Sequence, residues 1–213
     1  MRHFIRALSS VTAATLLLLP PVDAVEGSAA VGDAAQGALI FHERCEKCHR
    51  AEGDATGGRA FPVLAGQKEK YLLEQMVQFV KGDRVASKMH EILGEDLANP
   101  QTLRDLSTYL SAQRREMHNE HGDAHRLGLG HRIYDDRCAR CHGTLGDGGT
   151  NATVPAIIGQ NYTYLVAQLR GFAAGHRSSV NPGDIDAVAH LSPNDVRAVA
   201  DFMSRMPESA STR

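Results

Sequence analysis

Apolar positions along this chain recur at three- and four-residue steps, and nowhere do they alternate like a strand for more than a few residues. Residues Ala34, Gly37, Phe41, Cys45 and Cys48 fall on one face of a helix that Asp33 can cap. A second helix is predicted over KEKYLLEQMVQFVKG, with Leu72, Gln75, Met76 and Phe79 on one stripe and Gly82 as its stop. A third begins at Asn99-Pro100, a capping residue followed by proline in the first helical position, and carries Leu103, Leu106 and Leu110 inward. Shifting the chain by 93 residues superposes this pattern on itself without a gap, from Gly37/Gly130 to Ser111/Ser204. Identities lie along the whole unit, among them Arg44/Arg137, Pro62/Pro155, Gly66-Gln67/Gly159-Gln160, Tyr71-Leu72/Tyr164-Leu165, Gln75/Gln168, Phe79/Phe172 and Arg84/Arg177. In the second copy the last helix starts at Ser192-Pro193, with Asp195 completing a capping box, and its stripe is Val196, Val199 and Met203. The expected fold class is all-α: two tandem domains, each of three main helices.

The pattern breaks at both ends of this duplicated region. A basic start (MRHFIR), the apolar run ALSSVTAATLLLLP, a Pro-Pro break and the small residues of VDA make residues 1–24 an export signal with cleavage after Ala24. The run is shorter than the ~20 apolar residues a spanning helix needs, so retention as an anchor is the weaker alternative. The remaining divisions are a first domain over 25–113, a linker over 114–125 and a second domain over 126–213. The linker region, SAQRREMHNEHGDAHRLG, is polar and carries both signs of charge. His118, His121 and His125 are expected to be solvated there, since no partner ligand stands near them in sequence. The chain has 23 basic and 25 acidic side chains. Removing Arg2, Arg6 and Asp23 with the leader leaves 21 against 24, about −3, a balance that excludes nucleic-acid binding.

Aromatic residues make up 5% of the chain and tryptophan is absent, a thin core for domains of this size. The four cysteines stand as CEKCH (45–49) and CARCH (138–142). In an oxidising compartment two disulfides are the plain expectation, but a disulfide needs no histidine behind it. A thioredoxin-type pair would sit in a βαβ context, and a zinc site would need the two pairs to converge. Two thiols one turn apart can instead add to the two vinyl groups of a haem, with the next histidine facing the iron. Cys45, Cys48 and His49, and Cys138, Cys141 and His142, are therefore the candidate attachment and axial residues of two covalent haem c groups.

With these segments, FPVLAGQKEKYLLEQMVQFVKGDR and VPAIIGQNYTYLVAQLRGFAAGHR, the chain resembles the di-haem cytochrome c4 family, two class I cytochrome c domains in tandem, over about residues 33–206. The resemblance implies that Pro62 and Pro155 offer their carbonyls to the second ring nitrogen of His49 and His142. It also implies that Gly37 and Gly130 let the last helix cross closely, with Tyr109 or Phe202 packed on them. Such proteins pass single electrons between redox partners in the periplasm, here a donor dehydrogenase or cytochrome complex and an acceptor oxidase or reductase, with peripheral membrane association left open. The cytochrome subunit of flavocytochrome c sulfide dehydrogenase shares the same tandem fold, so a dedicated subunit of a dehydrogenase is an alternative.

The distal ligands separate the halves. Class I cytochromes place a methionine before the last helix, and Met89 stands there in VASKMHEILGEDL, with His90 beside it as a rival. In the second copy Met89 aligns with Pro182, and no methionine lies between Cys141 and Met203. His190 is the first substitute and His176 another; Met203 belongs to the core stripe; an iron left five-coordinate or closed by water is the remaining option. If both irons are six-coordinate, the chain is an electron carrier with no substrate-converting site. An open second iron would permit a haem enzyme or ligand sensor, although Asp184, Asp186 and His190 read as surface polar groups rather than an acid–base set.

Overall fold

The computed structural model describes residues 31–51, 53–55, 61–94, 97–177 and 182–206. The expected leader and its cleavage point lie outside the described residues. Among the described residues ten helices run in chain order: α1 Ala34–Arg44, α2 Glu46–His49, α3 Glu69–Lys81, α4 Ser87–Gly94, α5 Pro100–Ala112, α6 Leu127–Arg137, α7 Ala139–His142, α8 Tyr162–Ala173, α9 Pro182–Val188 and α10 Pro193–Ser204. Among the described residues the sole β feature is an isolated antiparallel bridge between Arg84 and Arg177. The all-α expectation of three main helices per repeat holds, with two short helices added to each.

Local signals act where the sequence places them. The Asp33 carboxylate accepts from the Ala35 and Gln36 amides at 2.8 and 3.2 Å, and α3 stops at Gly82 in the left-handed region, φ 79°. Ser192 and Asp195 close a reciprocal capping box on α10. The first helix differs from expectation: it ends at Cys45, whose φ of −117° breaks the run, and the second cysteine and histidine lie on the separate turn α2. The region after α3, read as a loop, holds α4 and, in the second half, α9. In the sequence Asn181-Pro182 precedes α9, the same kind of pair that marks α5, a signal the loop reading passed over.

In each half the first helix crosses the last. A β-carbon built on Gly37 would collide with the Asp105 carbonyl and come 2.8 Å from Tyr109 Cβ. One on Gly130 would collide with the Ala198 carbonyl and come 2.8 Å from Phe202 Cβ, so the crossing needs glycine at both points. Phe41, Leu72, Phe79, Leu103, Leu106 and Leu110 centre the first core, and Tyr134, Ile158, Leu165, Val199 and Met203 the second.

The halves pack face to face through pairs of residues related by the 93-residue shift. Gln67 donates to the Ala156 carbonyl at 2.8 Å and accepts from the Ala156 amide at 2.9 Å. Gln160 does the same to Val63, at 2.9 and 2.7 Å. Arg84 donates to Tyr164 Oη and Gln168, and Arg177 to Tyr71 Oη and Gln75. Such reciprocity is that of an isologous two-fold interface formed within one chain.

The linker is bound more tightly than its polarity alone suggests. Arg115 and Asn119 are buried, and the segment is bonded to both halves. Arg115 donates to the carbonyls of Ala65 and Ile158 at 3.0 and 2.8 Å, which are themselves counterparts under the shift. Asn119 donates to Gln160 and Ser204, Glu120 accepts from Thr163, and Asp201 accepts from the Gly122 and Ala124 amides. Its polar side chains bind backbone groups that would otherwise be stranded, and so polarity here signals a strap rather than solvation. The linker histidines 118, 121 and 125 are nevertheless exposed.

Candidate functional site: two cysteine–histidine segments on one cavity

Each CxxCH segment sits where the first helix breaks. In the first half the amides of Cys48 and His49 both point back to the Cys45 carbonyl, at 3.1 and 3.0 Å. The second half repeats the pair on Cys138 at 3.1 and 3.0 Å. The turn ends at Arg50 (φ 69°) and at Gly143 (φ 79°). This one-turn wrap directs Cys45, Cys48 and His49, and likewise Cys138, Cys141 and His142, to a common cavity of about 1230 Å³ between the domains. Its wall is largely aliphatic and aromatic, with Phe41, Leu72, Phe79 and Leu106 from one half and Leu165, Leu169 and Phe172 from the other.

The axial histidines are oriented from behind. His49 Nδ1 lies 3.3 Å from the Pro62 carbonyl, and His142 Nδ1 lies 3.1 Å from that of Pro155. A carbonyl can only accept, so Nδ1 carries the proton in both rings and the lone pair is left on Nε2. Burial lowers the pKa of His49 below the ordinary imidazole value, with the Pro62 contact acting the other way, so the ring is neutral at neutral pH. Burial pushes the Cys45 thiol up to about 11 and the Cys138 thiol up to about 12. Those values are opposite to the lowered thiol pKa of a thioredoxin-type dithiol. All four cysteines are free of disulfides.

The donor set fits covalent haem. Two thiols and one oriented imidazole open onto an apolar volume in each half, where a macrocycle would complete a core short of aromatic residues. Among the described residues no cluster of three or more His, Cys, Asp or Glu is placed to bind a metal ion in their stead.

The distal candidates divide. Met89 on α4 lines the cavity, whereas His90 is exposed and its Nδ1 bonds the Phe79 carbonyl at 2.7 Å. In the second half His190 is exposed and lies outside the cavity wall, so the structure does not bring the first-ranked substitute to the site. His176 reaches the wall as an exposed residue, and Met203 touches it from the core of α10, 3% exposed. Asp186 is exposed. The residues that sequence reasoning passed over are Arg84 and Arg177. Each is buried, stacked over a phenylalanine ring at 4.4 Å and aimed across the interface. Their identity under the 93-residue shift was the available signal.

Fold and site together define a c-type cytochrome with two haem-binding domains in one chain. The sequence profile of the Cytochrome c family matches residues 34–119 and 128–207. The chain is 33% identical over 184 residues to cytochrome c4 of Pseudomonas aeruginosa, covering 82% of this chain and 89% of that protein. It superposes on the crystal structure of reduced recombinant cytochrome c4 from Pseudomonas stutzeri with a TM-score of 0.73 at 27% identity, covering 83% of this chain and all of that one. It is also 30% identical over 173 residues to a thiosulfate dehydrogenase electron acceptor of Thiomonas intermedia, covering 76% of this chain and 78% of that protein. The chain belongs to the di-haem cytochrome c4 family, carries two covalent haem c groups, and is an electron-transfer cytochrome.

Proposed function

We propose that the chain is an exported, periplasmic one-electron carrier whose two domains, 25–113 and 126–213, joined by 114–125, work as a coupled pair. The observation that carries this reading is the single cavity lined by both cysteine–histidine segments and by the interface between the halves. Haem c supplies a reversible Fe(III)/Fe(II) couple when bound. Cys45 and Cys48, and Cys138 and Cys141, would hold the two groups through their sulfurs, and His49 and His142, oriented by the carbonyls of Pro62 and Pro155, would offer Nε2 to the iron. Met89, which lines the cavity in the first half, would offer its thioether to the group held there and so raise its potential. Among the described residues no helix is long and apolar enough to cross a membrane. Export rests on the leader over 1–24.

The similarity to a thiosulfate dehydrogenase electron acceptor supports the alternative of a dedicated electron acceptor, with a sulfur-compound dehydrogenase as donor. A terminal oxidase or reductase is the acceptor. The test is a spectroelectrochemical titration of the mature protein together with Met89→Ala. Two one-electron steps are expected, and the variant is expected to lose the red-edge thioether band and to lower the potential of one step only. A single two-electron wave, or a variant with unchanged band and potentials, refutes this reading.

A further inference from the structure

Each axial histidine is tied to the opposite half through a single peptide group. The Pro155 carbonyl that accepts from His142 Nδ1 at 3.1 Å shares one planar unit with the Ala156 amide, and in a trans peptide the two point opposite ways. On the far side that amide donates to Gln67 Oε1 of the first half at 2.9 Å. The mirror set is complete. His49 Nδ1 lies 3.3 Å from the Pro62 carbonyl, and the Val63 amide of that peptide donates to Gln160 Oε1 of the second half at 2.7 Å. Proline brings no N–H of its own, so the amide that follows it is the donor that fixes the carbonyl's direction.

Neither carboxamide can turn. Gln67 and Gln160 are both buried. Each Oε1 also accepts from the amide of the next residue, Lys68 or Asn161, at 2.9 Å, and each Nε2 donates to the carbonyl of Ala156 or Val63 at 2.8 or 2.9 Å. Those next residues grip the same loops. Lys68 Nζ donates to the carbonyls of Gly148, Gly149 and Asn151 at 2.7, 2.7 and 2.9 Å, and Asn161 Nδ2 to those of Ala55 and Phe61 at 3.1 and 2.9 Å. Apolar side chains would join the halves as well; here buried polar atoms converge on the two peptides that carry the histidine acceptors.

We infer that Gln67 and Gln160 are positioning residues for the axial imidazole of the opposite domain, so that each centre's histidine is set from across the interface. This rests on the di-haem reading. A peptide whose N–H is engaged presents a more negative carbonyl, because hydrogen bonds in series polarise one another. A stronger acceptor behind Nδ1–H raises the basicity of Nε2, which favours the ferric state of the iron it faces. Gln67 therefore lowers the potential of the second centre and Gln160 that of the first. Domains that separated would lose both effects.

The experiment is a redox titration of the mature protein, shown by mass to carry two haems per chain, followed by nuclear magnetic resonance. The Nδ1–H signals of His49 and His142 report the two centres separately. Gln67→Leu is expected to move the His142 ring proton upfield, speed its exchange with solvent and raise the second centre's potential, with His49 and the first centre unmoved. Gln160→Leu should give the converse. Signals that move in the variant's own domain, in both domains or in neither overturn the inference, because a merely structural contact has no reason to act on the far histidine alone. Should a leucine variant fail to fold, Lys68→Leu decides on the same ring protons, since Gly149 and Asn151 are exposed and water can take up their carbonyls. Movement of His142 alone then supports the inference and any other pattern overturns it. A mass showing fewer than two haems in the unmodified protein defeats the di-haem reading itself, which is a separate failure.

Discussion

Arg115 offers the sharpest test of how the two halves are held. Its guanidinium lies between the domains, donating from Nε to Ala65 and from Nη1 to Ile158, while Nη2 is buried without a partner. Burial lowers its pKa from the ordinary guanidinium value to about 10. At 1.36 kcal/mol per unit, keeping this charge inside costs on the order of 3 kcal/mol. Two hydrogen bonds from a charged donor are worth about 1.5–3 kcal/mol each, so the residue is net stabilising by roughly 0–3 kcal/mol. Arg115→Met sheds both the bonds and the burial cost but strands two buried carbonyls, and is expected to destabilise by about 1–3 kcal/mol. Arg115→Lys keeps a buried charge, lacks the planar fork that reaches two carbonyls, and should cost more, about 3–5 kcal/mol. The assay is guanidinium denaturation of the mature protein followed by far-ultraviolet circular dichroism. A lysine variant as stable as the parent, or more stable than the methionine variant, refutes the reasoning.

Two further outcomes follow from backbone and capping geometry. Gly37→Ala and Gly130→Ala should each cost about 3 kcal/mol or more, because the new methyl meets backbone of the crossing helix rather than a side chain that can swing away. Gly94→Ala, with nothing within 4 Å of its β-carbon, is the control and should leave thermal denaturation unchanged or slightly raised. Ser192→Ala should cost about 1 kcal/mol. Bonds from Ser192 hold the Asp195 carboxyl below its ordinary pKa, so its share of stability is present at neutral pH and is lost as the pH falls through that lowered value. The deficit of Asp195→Asn, read from denaturation midpoints, should therefore vanish in acid; a deficit that persists there refutes the assignment.

The parts of the fold legible in sequence were those governed by short-range rules. Asp33, Gly82, Asn99-Pro100 and the Ser192/Asp195 box act within a few residues of themselves, and the structure places each as read. The cysteine–histidine segments were legible because five consecutive residues hold all the chemistry. What escaped was the meaning of polar residues whose partners are far away. Gln67 meets Ala156 and Arg115 meets Ile158, across 89 and 43 residues, and no local pattern distinguishes such a side chain from a solvated one. The burial of Arg115 and Asn119 within the polar linker was not legible for that reason. His190 was read from its chemistry, which suits iron; the structure places it exposed and outside the cavity lining.

The symmetry of the interface accounts for where the halves stayed alike and where they parted. In an isologous contact every residue is used from both sides. Tyr71 and Tyr164, Gln75 and Gln168, and Arg84 and Arg177 each serve as partner to the other half's set, so a change in one copy disturbs contacts on both faces. No such reciprocity acts on the wall formed by α4 and α9, which pack mainly on α3 and α8 of their own halves. A replacement there alters one iron's surroundings without loosening the pair. Met89 lines that wall, and its counterpart under the 93-residue shift is Pro182. Such an arrangement lets the surroundings of one centre change while the pair keeps one fixed geometry, the condition under which an electron entering at one potential has a defined direction of travel.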